Sequence, residues 1–183
     1  KPPTPLTSER AAVQIPAEVA AAGQIEVSWQ GPNNKGDFIS IAKPDEDEDR
    51  YLYYTYTRQG SPLKLQAPSE PGSYEVRYVM GHENNMLTKA PITIKPVTAT
   101  VTPPASAAAK ALFEVKWEGP GYKPDYISIA EPDQPEDAYI HYVYTRSGNP
   151  AKLKAPDEPG TYEVRYILGQ DNNLLDRKTI VIK

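Results

Sequence analysis

The chain contains two copies of one unit. Sliding the 183-residue sequence along itself until Val13 meets Val101 pairs residues 13–95 with 101–183 without a gap, and more than half of the pairs are identical. Trp29 meets Trp117, Gly31-Pro32 meets Gly119-Pro120, and EPGSYEVRY (70–78) meets EPGTYEVRY (158–166). Such a period is too long for a solenoid step and suits a small sandwich domain. The expected organisation is a Pro-rich linker over 1–11, a first domain over 12–95, a short linker over 96–99 and a second domain over 100–183. The opening KPPTPLTSER has neither a start methionine nor a signal peptide, so the expectation is a piece of a longer protein, with any signal or anchor elsewhere.

Each copy reads as about seven short strands between turn signals. In the first copy these cover 12–15, 24–30, 37–42, 51–57, 63–67, 73–80 and 87–95. In QIEVSWQ, Ile25, Val27 and Trp29 point one way and Glu26 and Ser28 the other. The sixth strand repeats this, with Tyr74, Val76, Tyr78 and Met80 set against Glu75, Arg77 and Val79. The Ala-rich AEVAAAG (17–23) is short and reads as a loop or single turn. With 13 Tyr, 20 Pro and only 2 Phe, composition also favours half-buried, punctuated strands. The expected fold is all-β, two tandem β-sandwiches.

A net charge of −4 and a pI near 5.3, with no Lys/Arg cluster, argue against nucleic acid as a partner. There is no cysteine, hence no disulfide, thiolate metal site or cysteine nucleophile. No apolar run approaches the roughly 18 residues that mark a transmembrane helix.

The repeated stretch itself, LQAPSEPGSYEVRYV and LKAPDEPGTYEVRYI, has the layout of a tyrosine corner. A Leu ends one strand, Pro and Gly turn the chain, and a Tyr enters the next with its hydroxyl free to bond upstream backbone. Tyr74 and Tyr162 are the candidates. Glu75 and Arg77 share a strand face, as a surface ion pair does, and this is preferred over a catalytic cluster.

IEVSWQGP followed by LQAPSEPGSYEVRYV resembles an immunoglobulin-like or fibronectin type III-like domain, whose second strand carries a core Trp. This casts Trp29 and Trp117 in a structural role. GPNNKGDFISI, YTYT and PGSYEVRYVMG further resemble tandem immunoglobulin-like repeats of bacterial cell-envelope proteins that also carry a von Willebrand factor A domain. The resemblance covers nearly the whole chain and implies an accessory envelope module with no activity of its own. The A domain's Asp-x-Ser-x-Ser metal motif is absent, so its metal chemistry does not carry over.

Four features are candidates for chemistry. KPDEDEDR (43–50) packs five carboxylates between two strands, and EPDQPEDA (131–138) keeps several of them. Asp45, Asp47, Asp49, Asp133 and Asp137 are candidate ligands for weak Ca²⁺ binding, although neither loop has the glycine of an EF-hand; a solvated loop is the plainer reading. His82 pairs with Gln170 and His141 with Tyr53, so no histidine site is duplicated. The hairpin tips HENNML and QDNNLL carry Asn-Asn, which suits a tight turn.

The fourth feature is aromatic. In YLYYTY (51–56), Leu52, Tyr54 and Tyr56 are expected inward and Tyr51 and Tyr53 outward. Phe38, Tyr51, Tyr53, Glu75 and Arg77 would then share an exposed surface, matched by Tyr126, Tyr139, His141, Glu163 and Arg165. Aromatics and Arg are enriched at interface centres. Ordinary cross-strand pairing, or cover by the other copy, would account for the same pattern.

The leading expectation is a non-catalytic, monomeric structural or interaction module of a periplasmic or cell-surface protein, spacing or presenting a neighbouring domain and needing no cofactor. The alternative is a module that binds a glycan or peptide through the aromatic/Arg face.

Overall fold

The computed structural model describes residues 10–183; most of the 1–11 linker lies outside the described residues. Two compact units divide between Pro96 and Val97. Among the described residues, each is an immunoglobulin-like sandwich of eight strands.

In the first unit, β1 (Ala12–Gln14), β3 (Gln24–Gln30) and β6 (Leu63–Gln66) form one sheet in the order β1-β3-β6. The second sheet takes β2 (Glu18–Ala20), β4 (Phe38–Ala42), β5 (Tyr53–Tyr56), β7 (Gly72–Val79) and β8 (Met86–Lys95) in the order β2-β8-β7-β4-β5. Between the sheets lie Ile25, Val27, Leu63 and Leu65 from one side and Ile39, Ile41, Tyr74, Val76, Tyr78, Ile92 and Ile94 from the other, all buried.

The second unit repeats this with β9 (Thr100–Thr102), β11 (Leu112–Glu118) and β14 (Ala151–Lys154) in one sheet. Its other sheet is β10 (Ser106–Ala107), β16 (Asn173–Ile182), β15 (Gly160–Leu168), β12 (Tyr126–Ala130) and β13 (His141–Tyr144), in that order. Phe113, Val115, Ile127, Ile129, Leu153, Val164, Tyr166 and Ile180 fill its core.

Two expectations need correcting. The segment read as a loop at AEVAAAG contains β2, which runs parallel to β8 with Val19 opposite Ile94, and β10 pairs with β16 in the same way. Pro16 stands where the chain leaves one sheet for the other, because it has no N–H to continue a ladder. The second correction concerns the aromatic strand, which begins at Tyr53 and not at 51. Leu52 sits in a bend, its N–H donating to the Ile41 carbonyl at 2.8 Å. The hairpin tip at 81–84 closes with Met80 N–H on the Asn85 carbonyl at 2.9 Å, with Glu83 and Asn84 at positive φ.

Candidate functional site

The site is the outer face of the five-stranded sheet. On β4, FISIA, Ile39 and Ile41 enter the core, so Phe38, Ser40 and Ala42 face away from it. Directly opposite residues share a face, which puts Glu75 (opposite Ala42), Arg77 (opposite Ser40), Tyr54 (opposite Ser40) and Tyr56 (opposite Phe38) on this side too. Yet all five residues of β4 are buried. The acidic loop between β4 and β5 supplies the cover.

That loop is two consecutive turns wrapped on one guanidinium. Glu46 N–H donates to the Lys43 carbonyl at 3.1 Å and Arg50 N–H to the Asp47 carbonyl at 3.0 Å. Arg77 then takes the first and last carbonyl of each turn: Nη2 donates to Lys43 (3.2 Å) and Glu46 (2.9 Å), Nη1 to Asp47 (2.9 Å) and Arg50 (3.4 Å). Its Nε donates to the Glu75 carboxylate at 3.2 Å, and Lys89 meets the other Glu75 oxygen at 3.0 Å. All five N–H donors of the guanidinium are used. Arg165 does the same in the second unit, donating to the carbonyls of Glu131, Gln134, Pro135 and Ala138 and to Glu163.

The central residues of the turns are Pro44-Asp45 and Glu48-Asp49, and Pro132-Asp133 and Glu136-Asp137 in the second unit. Pro presets φ for the first central position of a turn, and Asp is favoured in turns because its side chain can bond nearby backbone. The acidic residues shared by the two copies are therefore turn formers. Asp45, Asp47, Asp49, Asp133 and Asp137 are exposed, and no group of three or more acidic, His or Cys side chains is gathered for a metal among the described residues. The carbonyls that a cation would use already face a guanidinium.

The expected aromatic/Arg face is corrected in three ways. Arg77 and Arg165 are 2% and 1% exposed, so neither can touch a partner. Glu75, Phe38 and Tyr126 do point outward but are also buried, and Glu163 is half-buried. Tyr53 and His141 lie opposite Ile41 and Ile129 and so belong to the inward face. Tyr51 and Tyr139 stay exposed, and the bend at Leu52 brings Tyr54 beside Tyr51. Tyr54, placed in the core by simple alternation, is 43% exposed; Leu52 is exposed as well.

Sequence reasoning missed Tyr54, Tyr56, Tyr142 and Tyr144, which join the expected Phe38, Tyr51, Tyr126 and Tyr139 in an aromatic group over each loop. Phe38, Tyr51 and Tyr54 contact one another edge to face, with centroids 5.1–5.8 Å apart; Tyr56 packs on Tyr54 at 5.2 Å, and the Arg58 guanidinium lies 4.8 Å from the Tyr56 ring. The second unit repeats it with Tyr126, Tyr139, Tyr142 and Tyr144, and Arg146 lies 4.4 Å from the Tyr144 ring. The neighbouring Tyr56 hydroxyl pushes the Tyr54 phenol above its ordinary pKa, as Tyr144 does for Tyr142. Burial raises Tyr126, with the Asp137 charge adding to it. A depression of about 490 Å³, the size of a small-ligand site, opens here between Asp137, Tyr139, Tyr142, Arg146 and Lys123. The signal in the sequence was YxYTR, identical in both copies.

A buried carboxylate pins the opposite end of β4. Asp37 Oδ2 accepts from the Tyr78 hydroxyl (2.8 Å) and Asn34 N–H (2.9 Å), and Oδ1 from Gly81 N–H (3.0 Å). Asp125 repeats this with Tyr166, Tyr122 N–H and Gly169 N–H. The Tyr74 and Tyr162 hydroxyls each donate to the carbonyl four residues back, Glu70 and Glu158, at 2.8 Å. Trp29 and Trp117 are half-buried, and their Nε1–H groups donate to the Gly60 and Gly148 carbonyls. Among the described residues, Ser40 and Ser128 are the buried side chains whose oxygen has no partner.

No protein-family model matches the chain, and no curated protein matches it. Among solved structures it is similar to the Yersinia pseudotuberculosis adhesin InvE, at 15% identity and a TM-score of 0.34, over 96% of this chain and 58% of that one. It thus spans less than two thirds of that adhesin structure. It is also similar to Dpr11 IG1 bound to DIP-gamma IG+IG2, at 12% identity and a TM-score of 0.31, over 94% of this chain and 98% of that one. No helix among the described residues is long and apolar enough to cross a membrane. By its own strand topology, the chain is an all-β tandem of two immunoglobulin-like units.

Proposed function

We propose that the chain is a non-catalytic interaction module of a bacterial cell-surface or periplasmic protein, and that each unit meets its partner through the tyrosines beside β5 and β13. One observation carries this reading. In each unit two tyrosines, Tyr51 and Tyr54 or Tyr139 and Tyr142, are 40–47% exposed while packed on a buried aromatic base. Rings held this way lose little conformational freedom on binding, and large amphipathic rings dominate interface energetics. The Arg-held loop beneath them fixes where they stand. Tyr74 and Tyr162 read as tyrosine corners that keep the sandwich rigid behind this face, and the A-domain envelope proteins of the sequence resemblance are the proposed context.

Affinity capture from a bacterial envelope extract tests the reading. The wild type should retain a partner that the Tyr51→Ser/Tyr54→Ser/Tyr139→Ser/Tyr142→Ser variant loses, although the variant still unfolds in a cooperative transition. A partner held equally by both would place the binding surface elsewhere. No partner above background would favour a spacer role, which the fold alone also serves.

A further inference from the structure

We propose that the depression beside β13 receives an extended, proline-rich segment with a basic group at one end and a carboxylate at the other, an inference that rests on the tyrosine face being the partner surface. The geometry of the rings is the first ground. Tyr139 and Tyr142 are 4.8 Å apart at 63° between planes, and Tyr142 and Tyr144 5.4 Å apart at 83°. Rings set edge to face make ridges and furrows, not the broad coplanar platform on which a sugar ring stacks. Furrows between aromatic rings are where polyproline segments dock, because that helix is already extended and has little entropy to lose.

Charge is the second ground. Asp137 lines the depression at the loop end of β13, with Asp133 and Glu136 exposed on the same loop. Lys123 and Arg146 line it at the other end, where Tyr144 pairs with Tyr126. Asn172 offers an amide there, its oxygen accepting from the Tyr126 hydroxyl at 3.3 Å. A segment lying along the ladder therefore meets carboxylates first and cations last. A lysine or arginine belongs over the loop and an acidic residue or terminal carboxylate over Arg146.

The pentapeptide Lys-Pro-Pro-Thr-Pro with a free carboxylate, a composition that the chain itself carries at 1–5, is a probe of the right charge and length. Titration into the whole chain, followed by NMR, should shift the resonances of Tyr139, Tyr142 and Arg146. Tyr139→Ser/Tyr142→Ser should weaken binding at least tenfold, Asp137→Asn several-fold and less so at high salt, and Leu112→Ser, on the other sheet, not at all. Lys-Ala-Ala-Thr-Ala should not bind. Equal binding of that peptide, shifts elsewhere, or a chito-oligosaccharide binding where the proline peptide does not would each overturn the inference. Should an envelope partner require Tyr139 and Tyr142 while the proline peptide leaves them unperturbed, the partner surface stands and the proline chemistry falls.

Discussion

The Nη1 of Arg77 donates to the carbonyl of Asp47 at 2.9 Å, and this contact makes no use of the Asp47 side chain. The most acidic stretch of the chain is thus organised by its backbone around a buried cation. Two substitutions separate backbone from side chain. Arg77→Met should destabilise the first unit by about 3–5 kcal/mol, since it removes one of the two cations on the buried Glu75 carboxylate and leaves the Glu46 and Arg50 carbonyls without their donor. Asp47→Ala should stay within about 0.5 kcal/mol of wild type. Urea unfolding of each variant decides it, and comparable losses would contradict the assignment.

Calcium should leave the melting temperature unchanged, and so should its removal by a chelator. The turn carbonyls of both loops face Arg77 and Arg165, and the carboxylates are spread outward. A rise in melting temperature at millimolar calcium, abolished by Asp45→Asn, would show that the loop binds the ion after all.

Tyr74→Phe removes one hydroxyl and its bond to the Glu70 carbonyl, for an expected loss of about 1 kcal/mol. Ser40→Ala should go the other way or be neutral. Its hydroxyl is buried without a partner, and removing an unsatisfied polar atom recovers its desolvation penalty. Chemical denaturation of the two variants side by side tests both signs.

Alkaline pH should unfold the protein through Tyr78 and Tyr166. Burial is the main reason that both phenols are held above their ordinary pKa. The Asn33 and Gly121 amides oppose the shift, and the Asp37 and Asp125 carboxylates add to it. A raised folded pKa means that the native state holds the proton more tightly than the unfolded chain. The stability this contributes is whole below the unfolded value of about 10 and declines as pH rises above it. Denaturation midpoints should fall above pH 10, and more gently in Tyr78→Phe/Tyr166→Phe.

The sandwich was legible because β3 alternates cleanly, β7 does so as far as Tyr78, where its register shifts, and the chain states its domain twice. β2 was not, since three residues cannot display a period and the strand exists only because β8 offers it an open edge. The tyrosine parity failed for a local reason. A bend at Leu52 resets the alternation, so Tyr51 and Tyr54 meet although their spacing is odd. The burial of Arg77 failed for a deeper one. All four positions whose carbonyls it uses carry different side chains in the two copies: Lys43 and Glu131, Glu46 and Gln134, Asp47 and Pro135, Arg50 and Ala138. Backbone atoms leave no mark on sequence identity. The mark lay on the other partner, in an Arg and Glu kept at matching places in both units.

Site-specific photo-crosslinking in living cells tests the partner surface most directly. A benzophenone side chain at position 54 or 142 would sit among the exposed tyrosines, while one at position 112 would sit on the other sheet, where Leu112 is 68% exposed. Discrete adducts from 54 and 142, with none from 112, are the predicted result. Adducts from 112 alone, or from none of the three, would contradict a partner surface built on the Arg-held loop and its tyrosines.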